Sequence, residues 1–279
     1  MSGKRSTFLI SALAFGFAFL YVPILLVIVY SFNEGKLVTV WAGFSTKWYV
    51  SLFNNDGMID AAWNSLRIGV MSATLALALG TPAGLVMSRF GRFKGRTLFS
   101  GMIAAPLVMP EVITGLSLLL LFVTLEQLIG WPAGRGLSTI TIAHTTFCAA
   151  YVAVVVQSRL SGMDISVEEA AMDLGAKPGK IFFVITLPMI LPALMAGWLL
   201  SFTLSLDDLV IASFVAGPGS TTLPMKVFSS VRLGVSPEIN ALATLIILAV
   251  SILIVIASIL ILRSERLRNR AANGGAEAT

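Results

Sequence analysis

The chain has 279 residues, of which 57% are apolar and only 12% are charged, and its mean hydropathy is +0.91. A soluble domain carries about twice that charged fraction, so these side chains cannot cover a water-soluble globule of this size. One cysteine excludes a disulfide framework and a cysteine-based zinc site, and one histidine excludes a histidine-rich metal centre. The net charge of +5 does not indicate nucleic-acid binding, because in a membrane protein the distribution of charge matters more than its sum.

Six apolar stretches are each long enough to cross a bilayer, which requires about 20 residues in a helix. They predict an all-α membrane protein with six transmembrane helices at about 8–31, 66–88, 99–125, 137–158, 188–214 and 240–262. The first stretch is too long for a signal-peptide core and no small-residue cleavage site follows it, so we interpret it as an uncleaved span. The membrane domain covers residues 8–263, after a short N-terminal segment 1–7. A polar tail, 264–279, follows it and is expected to be disordered.

The positive charges indicate how the chain is oriented in the membrane. If the N-terminus is cytoplasmic, the inner segments hold 13 of the 19 lysine and arginine residues and the outer segments hold 6. Positive residues are retained on the cytoplasmic side, so both termini are predicted to face the cytoplasm. The loop 159–187 then lies on the cytoplasmic side as well.

The first outer segment, residues 31–66, is rich in aromatic side chains: Trp41, Trp48, Tyr49 and Trp63. Amphipathic rings of this kind favour the membrane surface. Two interpretations remain open, an interfacial anchor and a contact surface for an external partner.

The cytoplasmic loop contains a predicted short helix. Ser166 followed by Glu169 is a capping-box pattern, which predicts a helix from about residue 167. Gly175 is a natural helix stop, and Pro178 suits the first turn of the next helix. A helix of about two turns is not stable alone in water, so it needs support from its own protein or from a partner's groove.

The loop also carries a spaced pattern of anchor residues: Glu169-Ala170-Ala171, Gly175, Ile185 and Leu187-Pro188. This spacing resembles the EAA motif of ABC-importer permeases, the membrane subunits of binding-protein-dependent uptake systems. The resemblance implies a type I importer permease (MetI-like) fold and a coupling loop whose anchors dock into a cleft of an ATPase subunit.

The same resemblance implies partners and a location. It implies a cytoplasmic ATPase dimer that binds ATP and Mg²⁺, a homologous second permease subunit and a periplasmic substrate-binding protein. The chain is then a multi-pass protein of the bacterial inner membrane, in contact with lipid and not with nucleic acid.

No catalytic motif accompanies the docking pattern. The chain has no phosphate-binding loop G-x-x-x-x-G-K-[ST], and no H-E-x-x-H, G-x-S-x-G or C-x-x-C motif. We therefore interpret the chain as a transport subunit that is not itself an enzyme, binds no cofactor or metal of its own and depends on a separate ATPase.

Acidic residues inside predicted spans are costly and usually functional, which makes Glu111, Asp207 and Asp208 candidates for a substrate path. On a straight helix, neighbouring residues point about 100° apart, so the two aspartates cannot share a face. Asp208 falls in line with a stripe of small residues: Ser201, Ser205 and Ala212. We therefore place Asp208 first and Asp207 second among path-lining acids.

These acids favour a cationic substrate, because a carboxylate near an ammonium group stabilises it without trapping it if several sites share the charge. The alternatives are that the acids pair with lysine or arginine of a partner subunit, or cap a helix break at Gly217-Pro218. His144, in the fourth predicted span, is expected to be packed and neutral rather than part of a proton relay.

The segments around the acids narrow the resemblance. Pro110-Glu111, the run from Ser201 to Asp208, and Gly234-Val-Ser-Pro237-Glu238 resemble the polyamine branch of these permeases. The resemblance implies the second membrane subunit of a spermidine/putrescine importer, with putrescine favoured over spermidine. Two alternatives stay open: an ABC permease for a metal ion, sulfate or molybdate, and a transporter or channel that works without ATP.

Overall fold

The computed structural model describes residues 7–37, 40–233, 236–252 and 255, and this part of the chain is helical, with a single β-bridge between Asn33 and Phe44. The helices in chain order are α1 (Thr7–Ser31), α2 (Lys47–Phe53), α3 (Asp56–Arg89), α4 (Arg96–Val108), α5 (Glu111–Ile129), α6 (Leu137–Ser161), α7 (Ser166–Asp173), α8 (Pro178–Ile181), a π-helical turn (Phe182–Thr186), α9 (Leu187–Asp207), α10 (Val210–Val215), α11 (Leu223–Leu233) and α12 (Pro237–Ile252).

Five helical segments are long and apolar enough to cross a membrane: α1, α3, α5, α6 and the continuous run Pro178–Asp207. The helix α12 is apolar but shorter within the described residues. The predicted sixth span, 240–262, lies partly outside the described residues, and the predicted tail, 264–279, lies wholly outside them.

The predicted span 99–125 consists of two helices in the structure, α4 and α5, which are separated at Met109 and Pro110. The backbone of Met109 is extended, with ψ at 136°, because the ring of Pro110 disfavours a helical conformation in the residue before it. Glu111 is therefore the first residue of α5 and does not lie in the middle of a span.

Residues 57–229 form one compact unit, with α6 at its centre. The buried side chains of α6 pack against α3, α5, α9 and α10 and include Ile140, Phe147, Val152 and Val156. The helix α3 approaches α6 closely: a Cβ added at Gly80 would lie 2.6 Å from the Cβ of Val152. Small residues at such crossings allow apolar helices to approach and to gain van der Waals contact.

Among the described residues, those up to 56 and those from 230 onward form a second compact unit. Buried Asn33 organises its first loop, since the side-chain amide donates to the carbonyl of Val40 at 2.7 Å and accepts from the amide of Ala42 at 2.8 Å. In the same unit the carboxylate of Glu238 accepts hydrogen bonds from Ser51 and Asn55. Glu238 therefore ties the start of α12 to α2, a role that its sequence context did not indicate.

Candidate functional site

The predicted docking loop contains α7, which starts at Ser166, one residue before the expected position. The first-turn hydrogen bond comes from Asp164 rather than from the expected capping box of Ser166 and Glu169: its Oδ1 accepts from the amide of Ser166 at 3.0 Å. This bond stabilises the ionised carboxylate and lowers the pKa of Asp164 below its ordinary value. An aspartate two residues before a helix is a known turn signal, which would have identified Asp164 from sequence.

The helix α7 ends at Asp173, and the predicted stop, Gly175, follows the C-cap residue Leu174. The amide of Ala176 donates to the carbonyl of Ala171 at 3.0 Å, and the amide of Gly175 donates to that of Met172 at 2.8 Å. This pair of bonds is a Schellman motif, and it requires the left-handed backbone that Gly175 adopts with φ at 81°. The position therefore selects glycine for a backbone reason.

The predicted docking residues lie on α7, at Gly175, on the π-helical turn and at the start of α9. Four are exposed, namely Glu169, Ala170, Gly175 and Pro188, and three are half-buried, namely Ala171, Ile185 and Leu187. Beside α7, residues 171–180 line an open cavity with a volume of about 480 Å³. Leu174, at its edge, is 89% exposed. Leu174 is therefore an exposed apolar side chain beside α7, and contact with an ATPase stays a prediction.

The predicted span 188–214 is interrupted near its end. The helix α9 ends at Asp207, the backbone of Asp208 is extended with ψ at 124°, and α10 begins at Val210. The carboxylate of Asp208 accepts from the amides of Ile211 at 3.3 Å and Ala212 at 2.7 Å, so it caps α10.

The expected alignment of Asp208 with Ser201, Ser205 and Ala212 assumed a straight helix, and the structure has a break at Asp208 instead. Ser201 and Ser205 are buried against α6. The capping role that we considered at Gly217-Pro218 is observed instead at the break after α9.

Buried His144, on α6, connects Ser205 to Asp208. Its Nε2 lies 3.1 Å from Oδ2 of Asp208, and its Nδ1 lies 2.7 Å from Oγ of Ser205. In the arrangement with a neutral imidazole and a carboxylate, Nε2–H donates to Asp208 and Nδ1 accepts from the Ser205 hydroxyl. The packed position expected for His144 is observed, and the structure adds that His144 orients Asp208.

The three candidate acids, Glu111, Asp207 and Asp208, line one cavity of about 370 Å³ within residues 57–229. Phe147 and Tyr151 of α6 contribute aromatic walls. Among the described residues, no three acidic, histidine or cysteine side chains meet as a metal site, so the three carboxylates do not converge on one point. The cavity therefore offers separated negative charges to a small ligand.

The three acids differ in how free their oxygens are. Asp208 already accepts hydrogen bonds from two backbone amides and from His144. Asp207 and Glu111 have exposed side chains at the ends of α9 and α5, next to the two helix breaks. The structure therefore brings all three predicted acids together but leaves Asp207 and Glu111 as the more available pair.

The chain is similar in sequence to a family of membrane transport proteins and to two of its members. The family model for the binding-protein-dependent transport system inner membrane component matches residues 80–269. The chain is 64% identical to the putrescine transport system permease protein PotI of Escherichia coli (strain K12), over 95% of each protein. It is 45% identical to the spermidine/putrescine transport system permease protein PotC of the same strain, over 89% of this chain and 91% of that protein.

Solved structures share the fold at low sequence identity. A bacterial ABC transporter involved in the import of the acidic polysaccharide alginate matches with a TM-score of 0.69 at 17% identity, over 93% of this chain and 97% of that chain. The inward-facing MetNI methionine ABC transporter matches with a TM-score of 0.60 at 18% identity, over 74% and 95%. These two likenesses support the fold alone.

Proposed function

The chain belongs to the family of binding-protein-dependent transport system inner membrane components, and on that premise we propose that it forms the translocation path of an ATP-driven polyamine importer together with a sister permease. Putrescine is favoured over spermidine as substrate, since the relative at 64% identity is named for putrescine and the relative at 45% for both. The chain is a multi-pass inner-membrane protein whose termini are proposed to face the cytoplasm.

The observation that carries the substrate proposal is the cavity lined by Glu111, Asp207 and Asp208. Its volume of about 370 Å³ is at the small end of ligand cavities, roughly 300–1,000 Å³, which suits a short aliphatic molecule. Putrescine carries an ammonium group at each end of an apolar chain. Separated carboxylates and aromatic walls at Phe147 and Tyr151 match both features.

We assign different roles to the acids. Asp207 and Glu111 contact the ammonium groups, because their oxygens are free of the hydrogen bonds that occupy Asp208. Asp208 keeps the break between α9 and α10 open and adds negative potential to the cavity wall. Several moderate attractions, rather than one strong one, let a cation enter and leave.

The driving force is proposed to come from a separate ATPase dimer that binds ATP and Mg²⁺ and docks on the loop from Glu169 to Pro188. A periplasmic binding protein delivers the substrate to the outer side. ATP binding and hydrolysis below then move the paired permeases between inward-facing and outward-facing states.

The test is uptake by the assembled importer. The permease, its sister subunit, an ATPase and a binding protein are reconstituted in liposomes, and uptake of radiolabelled putrescine is measured with and without ATP. We expect ATP-dependent uptake that unlabelled putrescine inhibits more strongly than spermidine does, and that sulfate, molybdate and divalent metal ions do not inhibit. Uptake that needs no ATP, or that a metal ion or an oxyanion abolishes, contradicts the proposal.

A further inference from the structure

One acid of α7 faces the protein rather than the solvent. Oε1 of Glu168 accepts hydrogen bonds from Nη2 of Arg89 at 3.2 Å and from Oγ1 of Thr186 at 2.9 Å, and its Oε2 lies 3.2 Å from Nε of Arg89. The side chains of this ion pair are only 14% and 13% exposed. The neighbouring Glu169 is exposed, as expected for a residue about 100° away around the helix.

The three residues belong to three different elements. Arg89 is the last residue of α3, Glu168 lies in the first turn of α7, and Thr186 ends the π-helical turn that continues into α9. The eight-residue α7 is too short to hold its position by its own hydrogen bonds. Glu168 therefore joins the helix that carries the docking anchors to the inner ends of two long membrane helices.

The connection extends to the acidic cavity. The 21 residues of α9 lead from Thr186 to Asp207, a length of about 30 Å at 1.5 Å per residue. A helix transmits an axial displacement because its backbone hydrogen bonds resist stretching. A π-helical turn at the base of α9 is a feature that occurs frequently at functional sites.

We propose that Glu168 is a positioning residue that transmits displacement of α7 to α3 and α9, and so couples the partner's ATPase cycle to the acidic cavity. The inference rests on the proposed ATP-driven function, in which a partner moves α7. The contact with Arg89 suits this task, because one hydrogen bond from Nη2 and the nearby charge of Nε hold the carboxylate of Glu168 against the end of α3.

The experiment measures putrescine molecules transported per ATP hydrolysed by the reconstituted importer. Glu168→Gln keeps the size of the side chain and removes its charge. We expect the ratio to fall about tenfold, the effect of losing one charge-assisted hydrogen bond, while the ATPase still co-purifies. The matched control is Asp173→Asn, which removes an exposed charge from the same helix and leaves the ratio unchanged. Exchange of the pair, Glu168→Arg with Arg89→Glu, is expected to restore part of the ratio.

The outcomes separate this inference from the proposed function. A wild-type complex without ATP-dependent uptake contradicts the proposed function itself. An active wild type whose ratio survives Glu168→Gln overturns the inference, as does a loss that only follows the amount of assembled complex and is not restored by the exchange. If Glu168→Gln fails to accumulate in the membrane, Arg89→Lys and Thr186→Val replace it, and an unchanged ratio in both overturns the inference equally.

Discussion

The docking loop and the acidic cavity are assembled in opposite ways. The anchors of the loop lie close together in the chain, from Glu169 to Pro188, and local hydrogen bonds at Asp164 and Gly175 shape its first helix. The cavity is built from α4, α5, α6, α9 and α10, and its acids become available only because two predicted spans are interrupted. A local motif can therefore be predicted from the sequence, whereas a site that is formed by helix breaks cannot.

The two regions also differ in what completes them. The loop exposes Glu169 and Leu174, and under the proposed function a partner outside the chain covers them. In the cavity, the carboxylate of Asp208 already accepts hydrogen bonds from within the chain, from His144 and from the start of α10. Substitutions in the loop should therefore affect association and coupling, and those in the cavity should affect substrate affinity or stability.

The largest effect is expected from Glu169→Lys in the loop. On the proposed docking surface a charge reversal costs several kcal/mol, so substrate uptake should fall by roughly a hundredfold or more. Uptake and co-purification of the ATPase measure it, with Asp173→Lys as a control of equal charge change on the same helix. Wild-type uptake at normal expression of Glu169→Lys removes the loop from the docking surface.

A smaller effect is expected from Asp207→Asn in the cavity. Loss of one charge-assisted contact should raise the KM for uptake roughly tenfold while expression and basal ATP hydrolysis stay unchanged. The paired variant Asp208→Asn should act mainly on stability, because an amide has a single oxygen to accept from three donors. If Asp208→Asn raises KM more than Asp207→Asn does, our assignment of the two acids is reversed.

His144→Leu tests the same division from the other side of the cavity. It leaves Ser205 and Asp208 each without one partner, which should cost about 1–3 kcal/mol of unfolding free energy per unsatisfied group. Thermal unfolding in detergent measures the loss, and His144→Gln, which can donate and accept, should recover much of it. Equal Tm values for the wild type and the leucine variant are incompatible with a positioning role.

The smallest effect concerns the start of α7. The pKa of Asp164 is depressed by its bond to Ser166, so its stabilising contribution is present above the ordinary value of 3.8 and is lost as the pH falls through the folded-state pKa. The protection of the Ser166 amide against hydrogen exchange should fall on acidification in the wild type and stay low throughout in Asp164→Ala. A pH-independent difference between the two proteins rules out this ionisation as the cause.

Much of the site was predictable where one residue type meets one local requirement. Gly175 stops α7 because the Schellman motif needs a left-handed backbone, and Pro178 starts α8 because its ring suits the first turn of a helix. Asp164 follows the same kind of local rule, since an aspartate two residues before a helix accepts from the first helical amide. Glu168 was not predictable, because its partners Arg89 and Thr186 come from other elements.

The sequence by itself predicted a helical membrane protein, because uncharged apolar runs of about 20 or more residues fit spanning helices and are too long for the strands of about 9–11 residues in a membrane barrel. It also determined the docking motif, whose anchors share one loop. Only the tertiary structure decided that Met109-Pro110 and Asp208 are breaks, that Ser205 packs against His144, and that three acids line one cavity. The physical reason is that hydropathy measures how apolar a segment is. It does not detect a helix break whose backbone and side-chain polar groups form hydrogen bonds with neighbouring helices.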